Sequence, residues 1–364
     1  MKDSHLTLNQ KVGQLFVLGF TGPHPDADAQ ALLDAIQPGG LLLHQRNIEN
    51  FEQIYELTNY LRETSLIPPL LAVDHEGGRV DRLKHIFSMM PSMAELAQAG
   101  IAHLRTGARI IAAELEATGF NLNFAPVADI HRPGSIMSER CLSADPAEVA
   151  RLAAAFSEEL SRRRILTSAK HFPGLGGAQV DPHFSLPRID GSKRQLVLED
   201  ALPFVKLFER VDMVMVSHGS YGALADEKPT PASLSTRVVD GLLRKKLGYQ
   251  GLTITDDLTM GAITSIGLTP DTFLQAFEAG NDLLLFSQAT PLVEKAFKTM
   301  LTATRKSPIL RQRVDESVER ILNLKSRIEF SPLRYRAQVR ARITRQIEKL
   351  RKSLVQVEPR AVKV

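Results

Sequence analysis

The chain has 364 residues, of which 43% are hydrophobic and 24% are charged. This is the ordinary balance of a soluble globular protein, and the length allows one large domain with a substantial core. No run approaches the ~18 apolar residues that a membrane-spanning helix needs, and no apolar stretch typical of a secretory signal follows the basic residue near the N terminus. The single cysteine, Cys141, excludes an intramolecular disulfide and fits a reducing compartment, so the cytoplasm is the expected location.

Eight short apolar runs follow one another along the chain, and segments of helical character separate them. Near-continuous apolar strands that alternate with helices predict a parallel sheet with both faces covered. Eight such units over about 300 residues indicate a (β/α)8 TIM barrel. A doubly wound open sheet is the alternative, although no G-x-G-x-x-G follows the first strand and no Walker A motif is present. The predicted strands are 14–20, 40–43, 70–73, 122–127, 167–171, 213–217, 252–255 and 282–286, and the predicted helices include 50–64, 101–118, 146–164, 236–247 and 270–279.

Polar side chains stand at the carboxyl ends of six of the predicted strands. In a barrel of this kind the active site lies at that end, in the loops that follow the strands. Six such coincidences are hard to assign to chance, so this edge is the predicted site. The residues are His44, Asp74, Asp129, Lys170 with His171, His218 and Asp256.

The third strand opens into VDHEGGRVDRL, residues 73–83. Asp74 at the strand end, two glycines that permit close approach of the backbone, and Arg79 and Arg82 are typical of a site for polar substrate atoms. A tight turn with surface ion pairs is the alternative.

After the fourth strand, Arg140 in SERCLSAD could form a two-pronged hydrogen bond to substrate hydroxyls or a carboxylate. Its neighbour Cys141 is expected to be a packed side chain, because no adjacent motif supplies a base for a thiolate.

The stretch KHFPGLGGAQVDPHFSLP, residues 170–187, follows the fifth strand. Its prolines and glycines exclude a regular helix or strand and predict a long, shaped loop. Within it, Asp181 and His183 are separated by Pro182. An aspartate beside a histidine can fix the tautomer of the imidazole and raise its pKa, which favours proton transfer near neutral pH. The alternative is a turn stabilised by the Asp-Pro pair.

Two adjacent carboxylates follow the strand in ITDDLTM, residues 254–260. Successive side chains of a strand point in opposite directions, so one carboxylate can face the barrel mouth and the other the start of the next segment. A carboxylate in the mouth can act as a nucleophile or stabiliser in glycosyl transfer, or as a metal ligand. The other, Asp257, fits an N-cap.

The pattern changes towards the C terminus. From residue 329 onward, ten Lys and Arg outnumber three Asp and Glu, so the basic charge belongs to this tail. An amphipathic basic helix is predicted there, since apolar residues recur every three or four positions at Val339, Ile343, Ile347, Leu350 and Leu354. A membrane-surface or nucleic-acid patch is one interpretation. Packing on the barrel or on a partner subunit is favoured over it. The predicted division is a catalytic domain at 1–328 and a helical extension at 329–364.

Taken together and in this order, the motifs resemble glycoside hydrolase family 3, in particular its bacterial β-N-acetylglucosaminidase branch that acts on cell-wall fragments. The resemblance covers about residues 8 to 327, and the combination of KHFPG with D-x-H is specific to that branch. The motifs are VGQLFVLGF, GGLLLHQRNI, AVDHEGGRVDRL, NFAPVADI, SERCLSADP, KHFPGLGG, VDPHFSLP and GLTITDDLTM.

The resemblance implies a retaining glycosidase in which Asp256 is the nucleophile. His183, assisted by Asp181, would be the general acid and base, in place of the second carboxylate of most retaining glycosidases. The sugar would be bound by Asp74, Arg82, Arg140, Lys170 and His171. No metal, cofactor or nucleic acid is expected, and the partner is a carbohydrate substrate.

Two positions depart from the family pattern. Leu175 stands where the family usually has His or Asp, and Pro182 stands where it has Ser or Thr.

The main hypothesis is an exo-β-N-acetylglucosaminidase that removes terminal GlcNAc from peptidoglycan fragments. A family member with another preference, such as a β-glucosidase, and a non-catalytic sugar-binding relative are alternatives. A metal-dependent hydrolase is the remaining one, with ligands His44, His171, His218 and Asp256, although no pair of histidines one residue apart lies near the first strand.

Overall fold

Eight parallel strands close into a barrel in the computed structural model, which describes residues 6–224, 228–328 and 337–356. The barrel strands are β1 (Phe16–Leu18), β2 (Gly40–Leu42), β3 (Leu70–Val73), β4 (Leu122–Asn123), β5 (Leu166–Phe172), β7 (Met213–Val216), β9 (Leu252–Asp257) and β10 (Leu283–Phe286), and a separate parallel pair is formed by β6 (Arg188–Ile189) and β8 (Ser220–Tyr221). The first strand pairs with both its neighbour and the last one, through Val17 with Gly40 and Phe16 with Leu284. The predicted (β/α)8 barrel is therefore confirmed, and the open sheet is excluded.

Helices surround the barrel and connect its strands. They are α1 (Leu8–Gln14), α2 (Ala27–Ile36), α3 (Phe51–Thr64), α4 (Met93–Gln98), α5 (Ile101–Thr118), α6 (Pro146–Ser161), α7 (Lys193–Gln195), α8 (Leu202–Leu207), α9 (Gly261–Thr264), α10 (Pro270–Glu278), α11 (Pro291–Lys306), α12 (Pro308–Lys325) and α13 (Ala337–Val355). The predicted helix 236–247 is a π-helix, Arg237–Lys246, and a second π-helix is Leu196–Asp200. Short 3-10 turns are Gln45–Asn47, Gly222–Leu224 and Ala232–Leu234.

Capping residues fix where the helices begin and end. Asp145 accepts hydrogen bonds from the backbone N–H groups of Ala147 and Glu148 at the start of α6. Pro146 occupies the first position of this helix, where its lack of a backbone N–H costs no hydrogen bond. Helix α5 ends at Gly119, which adopts the left-handed conformation with φ of 85°. These local signals set the entry of each helix, and the apolar strands between them are buried on both faces.

The C-terminal helix α13 packs against α5 on the outside of the barrel. Ile343 and Ile347 are completely buried there. The Arg340 Nε donates to the carbonyl of Ile86 at 2.9 Å and the Thr344 hydroxyl to that of Phe87 at 3.3 Å. The structure thus shows this helix packed on its own barrel. Residues 329–336 and 357–364 of the predicted extension lie outside the described residues.

The membrane question can be addressed for the described part of the chain. Within 6–224, 228–328 and 337–356, none of the helices is both long enough and apolar enough to cross a bilayer.

Candidate active site

The carboxyl end of β5 supplies a buried lysine that links two acidic side chains. The Lys170 Nζ lies 2.6 Å from Asp74 Oδ1 and 2.6 Å from Glu76 Oε1, and only 2% of the lysine is exposed. Burial alone would raise the pKa of Asp74, but Lys170 and Arg82 outweigh that effect and hold its pKa below the usual value. Two predicted sugar-binding residues, Asp74 and Lys170, therefore lie together as an ion pair at the barrel mouth.

Glu76 joins this pair to Arg140. The Arg140 Nε donates to Glu76 Oε2 at 2.9 Å and its Nη2 donates to Oε1 at 2.7 Å, so the guanidinium holds the carboxylate with two parallel bonds. Burial would raise the pKa of Glu76, but Arg140 and Lys170 lower it strongly. The fork predicted for Arg140 thus engages a carboxylate of the protein itself. Its contact with substrate stays a prediction.

His171, the next residue of β5, is held by Asp129. Its Nδ1 lies 2.7 Å from Asp129 Oδ2, and its backbone N–H donates to Oδ1 at 3.2 Å. Asp129 Oδ1 also accepts the N–H of Leu175 at 2.6 Å, which fixes the first turn of the loop after β5. A carboxylate bound to Nδ1 sets the tautomer of the ring and leaves Nε2 available for other contacts. The side chain of Leu175 is itself buried, with 1% exposure.

Asp256 stands at the end of β9, half-buried at the mouth. Burial would raise the pKa of its carboxyl, but the charges of His171, His218 and Lys170 and the N–H of Asp257 outweigh that effect and lower it. The carboxylate is therefore ionised at neutral pH, the form that a nucleophile requires.

The neighbouring Asp257 has a structural role. Its Oδ1 accepts the backbone N–H of Thr259 at 2.9 Å, the Thr259 hydroxyl at 2.8 Å and the N–H of Ser287 at 3.1 Å. Its carbonyl lies 2.8 Å from His218 Nε2, while His218 Nδ1 lies 2.8 Å from the Ser233 hydroxyl. The prediction that Asp257 is an N-cap is wrong, because the N-cap of α9 is Met260 and Asp257 instead fixes the turn to Thr259. Asp256 is the carboxylate that can do chemistry.

The Asp181 and His183 pair lies on the loop between β5 and β6. The His183 Nδ1 is 2.7 Å from Asp181 Oδ1, and its backbone N–H donates to the same oxygen at 2.9 Å. Burial would raise the pKa of Asp181, but these bonds from His183 and the charge of Arg79 lower it. The imidazole is 67% exposed, so its Nε2 can exchange protons with a bound molecule or with water.

Two nitrogen atoms in the mouth are buried without a hydrogen-bond partner among the residues that the structure describes. They are Nε2 of His44, at the end of β2, and Nε of Arg82. Both side chains lie close enough to Asp74 to act on its pKa. A buried polar nitrogen without a partner costs free energy, so these two atoms are candidates for contacts with a ligand.

Two sequence-based alternatives can be assessed from the geometry. In the described ranges, no group of three or more His, Cys, Asp or Glu side chains is arranged to hold a metal ion. Two proposed ligands are bound otherwise, His171 to Asp129 and His218 to Ser233 and the Asp257 carbonyl. Cys141 is a buried free thiol whose pKa is raised by burial, as expected for a packed side chain.

Glu76 is the site residue that the sequence did not assign. It stands two positions after Asp74, a spacing that places side chains on the same face of an extended chain. That spacing is the feature of the sequence from which Glu76 could have been assigned to the site. Its partners Arg140 and Lys170 are 64 and 94 positions away, so the ion pairs themselves could be found only in the structure.

The barrel and the charged, half-buried residues at its carboxyl edge define a class: a (β/α)8-barrel enzyme with its site in the strand-end loops. The model of the glycosyl hydrolase family 3 N terminal domain matches residues 7–324. The chain therefore belongs to glycosyl hydrolase family 3, and it is a glycoside hydrolase.

The relatives have consistent names. A beta-hexosaminidase from Idiomarina loihiensis is 34% identical over 274 residues, which are 74% of this chain and 82% of that protein. One from Pseudomonas aeruginosa is 32% identical over 303 residues, or 82% and 90% of the two chains. Among solved structures, a glycoside hydrolase family 3 beta-N-acetylglucosaminidase from Paenibacillus sp. has a TM-score of 0.88 at 33% identity, covering 95% of this chain and 68% of that one. Native NagZ from Neisseria gonorrhoeae has a TM-score of 0.68 at 26% identity, covering 84% and 97%.

Proposed function

We propose that the protein is a retaining exo-β-N-acetylglucosaminidase that removes terminal GlcNAc from peptidoglycan fragments in the cytoplasm. The names of its relatives support the sugar, since they are beta-hexosaminidases and a beta-N-acetylglucosaminidase. The observation that carries the mechanism is the 2.7 Å contact between Asp181 and His183, on a loop that is hydrogen-bonded to the segment following Asp256.

In the first half of the reaction, the Asp256 carboxylate attacks the anomeric carbon. The bond from that carbon to the glycosidic oxygen breaks, and the oxygen takes the proton from Nε2 of His183. A covalent glycosyl ester of Asp256 remains, and the fragment leaves as a neutral alcohol. Asp181, held ionised by its bonds with His183, stabilises the imidazolium before it gives up its proton.

In the second half, water attacks the anomeric carbon of the ester. The neutral His183 accepts the proton of the water, the bond to Asp256 breaks and the sugar leaves with its original anomeric configuration. A neutral imidazole suits this step, because a second carboxylate beside the Asp256 ester would be an additional anion in the mouth. The same histidine is thus restored to its protonated form for the next cycle.

The buried polar residues of the mouth would bind the sugar. Asp74 and Nε2 of His171, whose Nδ1 faces Asp129, accept from hydroxyls, and Lys170 donates to another, with Arg82 offering its Nε. Arg140 contributes through Glu76, which it holds against Lys170. The ion pairs that already neutralise Lys170 keep its ammonium in one place before substrate arrives, so little reorganisation is needed on binding.

The proposal is tested by the release of nitrophenol from its β-GlcNAc and β-glucose derivatives in the presence of EDTA. The wild type should hydrolyse the GlcNAc derivative selectively, and Asp256→Ala should lose roughly 10³-fold or more of kcat/KM. Preference for glucose would favour the β-glucosidase alternative. Turnover of neither sugar by the folded wild type would refute a glycosidase of this specificity and favour a sugar-binding role.

A further inference from the structure

We propose that Gly261 is a positioning residue for the reaction, because its missing side chain is what allows the loop of His183 to dock beside the nucleophile. The loop from Pro173 to Pro187 is called the acid/base loop below. This inference rests on the proposed function, since it gives Gly261 its role through the proton transfers of His183.

Two backbone hydrogen bonds attach the acid/base loop to the start of α9. The N–H of Gly261 donates to the carbonyl of His183 at 3.0 Å, and the N–H of Ala262 donates to the carbonyl of Pro182 at 3.0 Å. One acceptor is the carbonyl of the histidine itself, and the other is the carbonyl of the residue before it. The histidine side chain is mostly exposed, so these two backbone bonds and the Asp181 contact determine where it stands.

The start of α9 is in turn connected to the nucleophile. Asp256 and Asp257 end β9, and the Asp257 carbonyl accepts the N–H of Met260, the residue before Gly261. The same carbonyl contacts His218, and the Asp257 side chain binds Ser287 on the next strand's loop. Two hydrogen bonds, joined by the peptide bond between Met260 and Gly261, therefore connect the strand end of the nucleophile to the backbone of the acid and base.

A side chain at position 261 would occupy the space that the acid/base loop fills. A Cβ built there would lie 2.5 Å from the carbonyl carbon and oxygen of Phe184 and 2.6 Å from the carbonyl oxygen of His183. These are backbone atoms, which cannot rotate away as the end of a flexible side chain can. Gly261 is not among the glycines with positive φ, so close approach of the loop, and not backbone conformation, is the reason for glycine at this position.

The test is Gly261→Ala, measured as kcat/KM over a series of aryl β-GlcNAc substrates that differ in leaving-group pKa. A displaced His183 protonates poor leaving groups badly, whereas good leaving groups need no acid. We expect a loss of roughly 10²-fold for the poorest leaving group and less than about 3-fold for dinitrophenol. The slope of log kcat/KM against leaving-group pKa should become steeper. A loss of equal size for every leaving group would overturn the inference, because general structural damage produces that result.

The matched control is Gly241→Ala, in the π-helix Arg237–Lys246. A Cβ at Gly241 would meet its nearest atom, the Thr236 carbonyl oxygen, at an ordinary 3.5 Å, so this variant should keep the wild-type slope. In a His183→Ala background, Gly261→Ala should cause no further loss for poor leaving groups. Additive losses in that cycle would show that Gly261 acts independently of the histidine, against the inference.

A measurement without substitution covers the case in which Gly261→Ala does not fold. Hydrogen exchange of the wild type should find the amides of Gly261 and Ala262 protected, because both are bonded to the loop. Exchange at the rate of a free peptide would overturn the docking. The proposed function fails separately, if the wild type does not hydrolyse β-GlcNAc substrates at all.

Discussion

At the scale of single residues, the charge of Asp256 is maintained by its neighbours. Burial opposes the ionised form, but His171, His218 and Lys170 lie close enough to lower the pKa of the carboxyl below its usual value. Asp256, the proposed nucleophile, therefore stays ionised at any pH near neutrality and into mild acid. Changes of activity across that range should come from groups other than Asp256.

His44 provides a residue-scale prediction. Its Nε2 is buried without a partner in the described part of the chain, and burial lowers the pKa of the ring, so a neutral imidazole faces the mouth. If the mouth binds a sugar, His44→Phe should lower kcat/KM on β-GlcNAc substrates by about 3- to 10-fold, the value of one hydrogen bond. Steady-state kinetics measures this. Unchanged kinetics would mean that His44 does not contact the substrate.

Several site residues could be proposed from the sequence because they lie in short motifs at strand ends. The Asp181 and His183 pair is local, so the sequence alone predicted a contact that the structure confirms at 2.7 Å. Glu76 is different, because its importance comes from Lys170 on β5 and from Arg140 in the loop after β4. Spacing along the chain contains no information on such pairs.

At the scale of elements, the C-terminal helix is the clearest case of partial prediction. The recurrence of apolar residues predicted an amphipathic helix, and α13 is present with Ile343, Ile347 and Leu350 buried. The surface that it covers was not predictable, because apolar spacing identifies a buried face but not its partner. The partner is α5 together with the segment 86–89.

The stability of the barrel should depend on this helix. Ile347→Ala removes a completely buried side chain, so the free energy of unfolding should fall by about 2–5 kcal/mol. Urea denaturation followed by circular dichroism measures the change. Val355→Ala is the control, since Val355 is 88% exposed and its truncation should change stability by less than about 0.5 kcal/mol. Equal stabilities of both variants would show that α13 does not stabilise the fold.

At the scale of the whole molecule, the barrel could be predicted because eight apolar runs alternate with helices. The closure of the sheet and the register of its strands could not be predicted. Both depend on pairing between strands that are far apart in sequence, such as Phe16 with Leu284. The π-helix Arg237–Lys246 was predicted as an ordinary helix. Apolar periodicity does not resolve the difference between i→i+4 and i→i+5 hydrogen bonding over such a short segment.

The opposite end of the barrel from the site contains a buried lysine. Lys325, at the end of α12, donates to Gln14 Oε1 at 2.7 Å, and burial lowers its pKa from 10.5 to about 7. Between these two values the unfolded chain binds a proton that the folded protein does not. Stability should therefore rise with pH from about 7 towards 10 through this residue.

Lys325→Met should remove that dependence. We expect the variant to gain stability relative to the wild type at pH 7, on the order of a few kcal/mol, and to lose the advantage near pH 10. Urea unfolding of both proteins at a series of pH values gives the difference between their free energies of unfolding. The contributions of other titrating groups cancel in this difference. A difference that does not vary with pH would contradict a neutral buried lysine.

The most direct test of the mechanism is to trap the glycosyl-enzyme. In His183→Ala, a dinitrophenyl β-GlcNAc substrate can still glycosylate Asp256 without an acid, while hydrolysis of the ester lacks its base, so the intermediate should accumulate. Mass spectrometry of the peptic digest should find one N-acetylglucosaminyl group on the peptide that contains Asp256, and none in the Asp256→Ala, His183→Ala double variant. A burst of dinitrophenol with no sugar on that peptide, or with sugar on another residue, would contradict Asp256 as the nucleophile.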